Sequence, residues 1–241
     1  MSAQSVITLA LDSSAGMASV AVARGGDVLA QARHEAAHGH AAWIITLARD
    51  ALTQASVGFG DIGVIVAGRG PGSFTGIRVA LAAAKGLGLS LGLAPVGLSS
   101  LAAMARHDAD GQSPVISVID SRRKSLYFQA FSPDGEALGD VQDGQADDLV
   151  ELSQTLMANT LMSNTLMVKS QTEGHHLVIN GHDADTLAQR LTGEGLPARP
   201  GAAFAPLAAD LCRYHHAFPA VNDGLEPLYL APPLISTPKS S

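Results

Sequence analysis

The apolar run VITLALD, ending at Asp12, reads as a strand buried on both faces. The segment after it, ASVAVARGGDVLAQARHE, alternates polar and apolar positions on either side of Gly25-Gly26-Asp27. This pattern predicts a strand followed by a hairpin. Val28, Ala30 and Ala32 share one face of the last strand, with Gln31, Arg33 and Glu35 on the other, so the period of two places His34 at a strand end. Helical spacing begins only after Gly39. Trp43, Leu47 and Ala51 recur one turn apart beside Ile44, Ala48 and Leu52, predicting a helix from about His40 to Ala55. DIGVIVAG is a further buried strand, GRGPGSFTG a glycine-rich connection, Thr75 to about Leu91 a second helix, and Ala94 to Leu98 a strand, for an order β-β-β-α-β-α-β.

The second half echoes the first. VISVID ends at Asp120 as VITLALD ends at Asp12, and Gly26 and Asp134 each lie fourteen residues beyond their Asp inside a turn triplet. Two copies of one strand-hairpin module, hence two lobes, are expected at 1–108 and 109–241, with a C-terminal helix packing back on the first lobe. From Thr155 to Met167, TLMANTLMSNTLM repeats every five residues. A five-residue step makes no apolar stripe on a helix or a strand, so the segment is expected at the surface of the smaller lobe.

The helix after the glycine-rich connection is unusual. Between Gly76 and Leu91 its only polar side chains are Arg78, Lys85 and Ser90. Val79 to Leu98 is apolar enough to suggest a membrane span, but Lys85, three glycines and Pro95 argue for a soluble helix and a strand. Such a helix needs cover on two sides. One is its own sheet, and the other is expected to be a partner protein over Ala80, Ala83, Ala84 and Gly88, anchored by Trp43.

Composition narrows the class. Of 241 residues, 46% are hydrophobic and 15% charged, a globular balance. The net charge of -7 argues against gripping a phosphate backbone without a basic partner. Cys212 is alone, and no targeting leader is evident, so a cytoplasmic protein without membrane association is expected.

Three motifs carry candidate chemistry. HEAAHGH, His34 to His40, contains the H-E-x-x-H spacing of zinc peptidases, but that chemistry needs both histidines on one helical face. Ala41 and Ile44 replace the Gly and His of the longer zinc motif. Exposed loop histidines are the simpler reading. GRGPGSFTGIR, Gly68 to Arg78, combines the turn formers Gly70, Pro71 and Gly72 with Ser73, Phe74, Thr75, Gly76 and Ile77 at a helix start. Backbone N–H groups there suit an anion, yet the Lys of a Walker A loop is missing, and on local chemistry a structural turn is the better reading. Asp12 and Asp120, at corresponding strand ends, could flank a nucleotide and its metal or simply form turns.

LALDSS, HGHAAWIITLARDAL, GRGPGSFTGIRVALAAAKGLGLSLG, VISVIDSRRKSLYFQAF and EPLYLAPP, in this order, resemble the TsaB (YeaZ) family of bacterial tRNA threonylcarbamoyladenosine biosynthesis proteins. The match is poor from about Asp143 to Gly201. The resemblance implies an α/β fold of two ribonuclease-H-like lobes of the actin, sugar kinase and Hsp70 type. It implies a non-catalytic scaffold pairing with TsaD, the subunit that transfers the threonylcarbamoyl group to tRNA, and recruiting the ATPase TsaE. Alone, the chain would homodimerise, and it would meet tRNA only through the complex. The implied pairing surface is the two first-lobe helices, with Trp43, Leu47, Gly76, Ile77, Ala80, Ala83, Ala84 and Gly88.

The resemblance also implies no tightly bound cofactor. ATP or ADP would bind weakly or at a site shared within the complex, with Asp12, Ser13, Ser14 and Asp120 as the residues that would meet it. The metal-binding histidines of the catalytic relative fall on Ser100 and Met104, so neither a metal site nor peptidase activity is expected. Ala231 stands where the family carries Arg. The alternative reading is a self-sufficient enzyme: a metallopeptidase using His34, Glu35 and His38, or an ATPase using Asp12 and Asp120.

Overall fold

The computed structural model describes residues 6–35, 40–165 and 176–230. Strands β1 (Ile7–Asp12), β2 (Met17–Arg24) and β3 (Asp27–Glu35) form an antiparallel meander whose second turn is Gly25-Gly26. Strands β4 (Ile62–Gly68) and β5 (Val96–Leu98) add in parallel beside β1, giving the order β3-β2-β1-β4-β5. The second sheet repeats the plan. β6 (Val115–Asp120), β7 (Leu126–Phe131) and β8 (Gln142–Gly144) are the meander, and β9 (Leu177–Gly181) and β10 (Ala198–Pro200) add in parallel beside β6, in the order β8-β7-β6-β9-β10. The faint echo between VITLALD and VISVID is thus a duplication of topology.

Side-chain alternation then sets the layers. In the first sheet, Leu9, Leu11, Val20, Val22, Ile65 and Ala67 face helices α1 (His40–Gln54) and α2 (Phe74–Leu91). Their neighbours Ala10, Ala21, Ala23 and Val66 face the opposite way, into a core built with α3 (Ser100–Asp108) and α6 (Ala208–Ala217). The small residues on that face let a helix approach closely. In the second sheet, Ile116, Val118, Phe128 and Ile179 pack under α4 (Ala146–Thr165) and α5 (Ala184–Gly193), while Val115, Ile119, Tyr127 and Phe131 join the α3–α6 core.

Helices α3 and α6 therefore lie between the sheets. α6, the last helix of the described chain, rests on β1 to β4 of the first sheet, and α3 rests on β6, β7 and β9 of the second. α3 ends at Asp108, and its main packing partners, α6, β6, β7 and β9, all follow it in the chain.

The five-residue repeat differs from expectation. Up to Thr165 it is part of α4, and Leu156 is buried in the second core together with Leu149. Leu149, Ser153 and Leu156, four and three residues apart, form the buried stripe of α4, which is set before the repeat begins and takes in only Leu156 from it. Repeat residues beyond Thr165 lie outside the described residues.

α2 is long and apolar enough to cross a membrane by length and composition. Here it packs on β1, β4 and α1. Ser73 caps its start, accepting from the Gly76 amide at 3.3 Å, and Gly92, with φ +67°, ends it.

Candidate functional site

The burial of α2 corrects the face drawn from sequence. Gly76, Ile77, Ala80, Ala84 and Gly88 are buried against the chain's own first lobe, as is Leu47 on α1. A methyl group at Gly76 would lie 1.8 Å from the Ser13 carbonyl oxygen, and one at Gly88 would lie 2.6 Å from the Pro95 ring. The small residues of α2 therefore serve close approach to its own lobe. Of the eight residues expected to pair outward, Trp43 is exposed and Ala83 is half-buried.

The outward surface runs through other residues. A groove of about 420 Å³ lies between α1 and α2, lined by Ile44, Ile45, Phe74, Thr75, Arg78, Val79, Ala82 and Ala83. Large apolar side chains stand exposed on these two helices: Trp43 at 43%, Ile45 at 46% and Leu89 at 88%. Trp43 stacks on His34 with ring centroids 4.3 Å apart.

The Gly68–Arg78 block is anchored at both ends. Its interior bonds to the turn after β1: the Ser73 amide donates to the Ser14 carbonyl at 2.6 Å, and Ser13 Oγ donates to the Gly76 carbonyl at 2.7 Å. The Ser100 amide donates to the Gly70 carbonyl at 2.8 Å. Two of the N–H groups at the start of α2, those of Ser73 and Gly76, thus meet the chain's own Ser14 and Ser73 oxygens. These bonds support the structural turn.

Outside the block, a strap formed by residues 222–230 closes over it. Arg69 donates through Nε to the Glu226 carbonyl at 2.9 Å and through Nη1 to the Asp223 carbonyl, and the Leu228 amide donates to the Arg69 carbonyl. Arg78 Nε donates to Tyr229 Oη at 2.8 Å, with its guanidinium 3.8 Å from the Phe74 ring centre. Arg69 and Asp223 were not singled out from the sequence, where an arginine inside a glycine turn was the available signal; Tyr229 entered only within EPLYLAPP. Ala231 lies outside the described residues.

Asp12 and Asp120 are not equivalent. Asp12 is fully buried; its Oδ1 accepts from the Ser14 amide and hydroxyl, each at 2.8 Å, and its Oδ2 accepts from Ser100 Oγ at 3.2 Å. Burial pushes its carboxyl up to about 6, against the opposing pull of the bonds from Ser14 and Ser100. Ser13 and Ser14 are buried beside it. Asp120 is exposed and accepts from the Arg122 amide at 2.8 Å. Arg122 reaches across to the first lobe, its Nη2 3.3 Å from where a Cβ on Gly16 would stand. The Asp12 carboxylate thus staples the turn after β1 to α3.

His34 and Glu35 are neighbours on β3 and point to opposite sides of it, so the helical geometry of a zinc peptidase is absent at this pair. His38 lies outside the described residues. Ser100 and Met104 are both buried on α3. Among the described residues, no three His, Cys, Asp or Glu side chains converge as a metal site would require.

A family model described as "TsaD: tRNA N6-adenosine threonylcarbamoyltransferase" matches residues 31–215. The chain belongs to this family. Within it, the chain is similar to proteins named tRNA threonylcarbamoyladenosine biosynthesis protein TsaB. It is 32% identical to that of Escherichia coli over 141 residues, 57% of this chain and 60% of that protein. It is 33% identical to that of Haemophilus influenzae over 130 residues, 52% of this chain and 53% of that protein. The chain thus spans somewhat over half the length of the curated relatives it matches.

Among solved structures, YeaZ from Pseudomonas aeruginosa covers 93% of this chain and all of its own, with TM-score 0.67 and 24% identity. A ROK hexokinase from Thermus thermophilus matches with TM-score 0.52 and 15% identity. These likenesses speak for the fold: a two-lobed α/β architecture of the actin, sugar kinase and Hsp70 type.

Proposed function

We propose that the chain is a non-catalytic subunit of the cytoplasmic assembly that makes N6-threonylcarbamoyladenosine in tRNA. Its α1–α2 face pairs with TsaD, the pair admits the ATPase TsaE, and tRNA is met through the complex. The observation that carries this reading is the apolar groove between α1 and α2, with Ile45 exposed on its lining and Trp43 and Leu89 exposed elsewhere on the same two helices. Exposed aromatic and aliphatic anchors beside a groove are what a protein interface buries. The names of the relatives supply the process, and the sealed Asp12 argues for a scaffold over an independent ATPase. In isolation, a second copy would cover the same face.

The test is size-exclusion of the chain with TsaD, using Ile45→Arg. Ile45 is exposed, so an arginine there is tolerated in the monomer and, once desolvated at an interface, disrupts pairing. Co-elution of the parent chain, lost in the variant, is expected. Equal co-elution of both would move the interface elsewhere.

A further inference from the structure

On the far side of the first sheet from the α1–α2 face, three elements converge around a polar pocket of about 550 Å³. The β2–β3 turn contributes Arg24, Gly26 and Asp27; α3 contributes Arg106; α6 contributes Arg213 and His216. Three guanidinium groups in one concavity are unusual for a chain of net charge -7. Asp27 brings one carboxylate to the same lining, but among the described residues the one ion pair made by the three is Arg213 Nη1 donating to Asp210 Oδ1 at 2.5 Å. Among the described residues, neither Arg24 nor Arg106 has a carboxylate within ion-pair distance, and Arg106 Nε is buried without a hydrogen-bond partner.

Placement in the last turn of α3 accounts for a cation there, because that helix end carries partial negative charge. It does not account for a desolvated donor left unpaired, which is costly unless something binds it. The turn is also shaped for this spot: a methyl group on Gly26 would lie 2.7 Å from the His216 ring. Planar guanidinium forks match phosphate oxygens, and the volume leaves room for more than a bare phosphate.

We infer that this pocket binds the phosphate group of a phosphate-bearing ligand, held by Arg24 and Arg106 with Arg213 and His216 at its edge. Such a ligand ties the hairpin of the first sheet to both helices between the lobes. The inference does not depend on the pairing reading above.

The test titrates inorganic phosphate into the full chain by calorimetry, with Arg24→Gln, Arg106→Gln and, as control, Arg199→Gln, whose side chain pairs with Asp110 elsewhere. Saturable binding to the parent chain, weakened about tenfold or more by each pocket variant and unchanged in the control, is expected. Arg24 is exposed, so its variant keeps the test valid if Arg106→Gln folds poorly. No saturation up to about 10 mM phosphate, or equal binding by parent and Arg24→Gln, overturns the inference. A second arm measures binding of an unmodified tRNA transcript against salt. If the pocket variants lower the salt slope by about one each, the source is an RNA backbone. An unchanged slope with phosphate binding lost in the variants assigns a small phosphorylated ligand.

Discussion

Replacing Asp12 by asparagine tests the reading of the sealed turn through its pH dependence. The carboxyl is an ordinary aspartate near 3.8 in the unfolded chain and is pushed to about 6 by burial in the folded one. Below 3.8 both states hold the proton, and above 6 both have lost it. Between these values the native state keeps a proton that the unfolded state releases, so rising pH destabilises the fold by up to about 1.4 kcal/mol per pH unit. The stability contributed by this group is complete below the unfolded value and lost by the time pH has passed the folded one. Across the window the loss is about 3 kcal/mol.

Asparagine does not titrate. Its amide oxygen can keep the two bonds from Ser14, and its NH2 group can donate to Ser100 Oγ, now acting as acceptor. Urea unfolding of both proteins at steps from pH 4.5 to 7.5 cancels the remaining carboxylates in the difference. Asp12→Asn should gain about 2 kcal/mol relative to the parent over that range. A flat difference, or a parent that gains with pH as a salt-bridged carboxylate would, refutes the account of a desolvated internal Asp12.

Gly76→Ala drives a methyl group into the Ser13 carbonyl and should cost about 1–3 kcal/mol or more, whereas Gly86→Ala, with open space around it on the same helix, should gain about 0.5–1 kcal/mol; denaturant midpoints decide both. His107 Nδ1 lies 3.1 Å from Asp210 Oδ1, and this bond raises the imidazole above its usual 6.5. The stabilisation is complete below 6.5 and lost as pH rises through the raised value, so His107→Gln should lower Tm more at pH 6 than at pH 8.5. Arg69→Ala removes two charge-assisted bonds to the strap. Amide exchange at Leu228 should speed up by about tenfold or more, with global stability changing less.

Strands and their turns were legible because period-two alternation and the Gly25-Gly26-Asp27 triplet act over a few residues. The duplicated meander followed from the same local signals. The outward face of α2 was misassigned because a helix of alanine, glycine and leucine has little contrast between its sides. Its rotation is fixed by the Ser13 carbonyl against Gly76 and Pro95 against Gly88, contacts between distant segments. For the same reason Ile45 and Leu89 were passed over in favour of Leu47 and Ala84, which are buried. The strap's bonds to Arg69 and Arg78 and the arginine pocket escaped notice because their members lie far apart in the chain. Arg24, Arg106 and Arg213 acquire meaning only when α3 and α6 are set between the sheets.

The central claim, that the chain acts as a subunit in threonylcarbamoylation of tRNA, is tested most directly by reconstitution. Purified TsaD, TsaE and the threonylcarbamoyl-adenylate synthase are assayed on unmodified tRNA without the chain, with it, and with Ile45→Arg. The account predicts product only with the parent chain, and its loss or steep reduction with the variant. Full modification without the chain would contradict it.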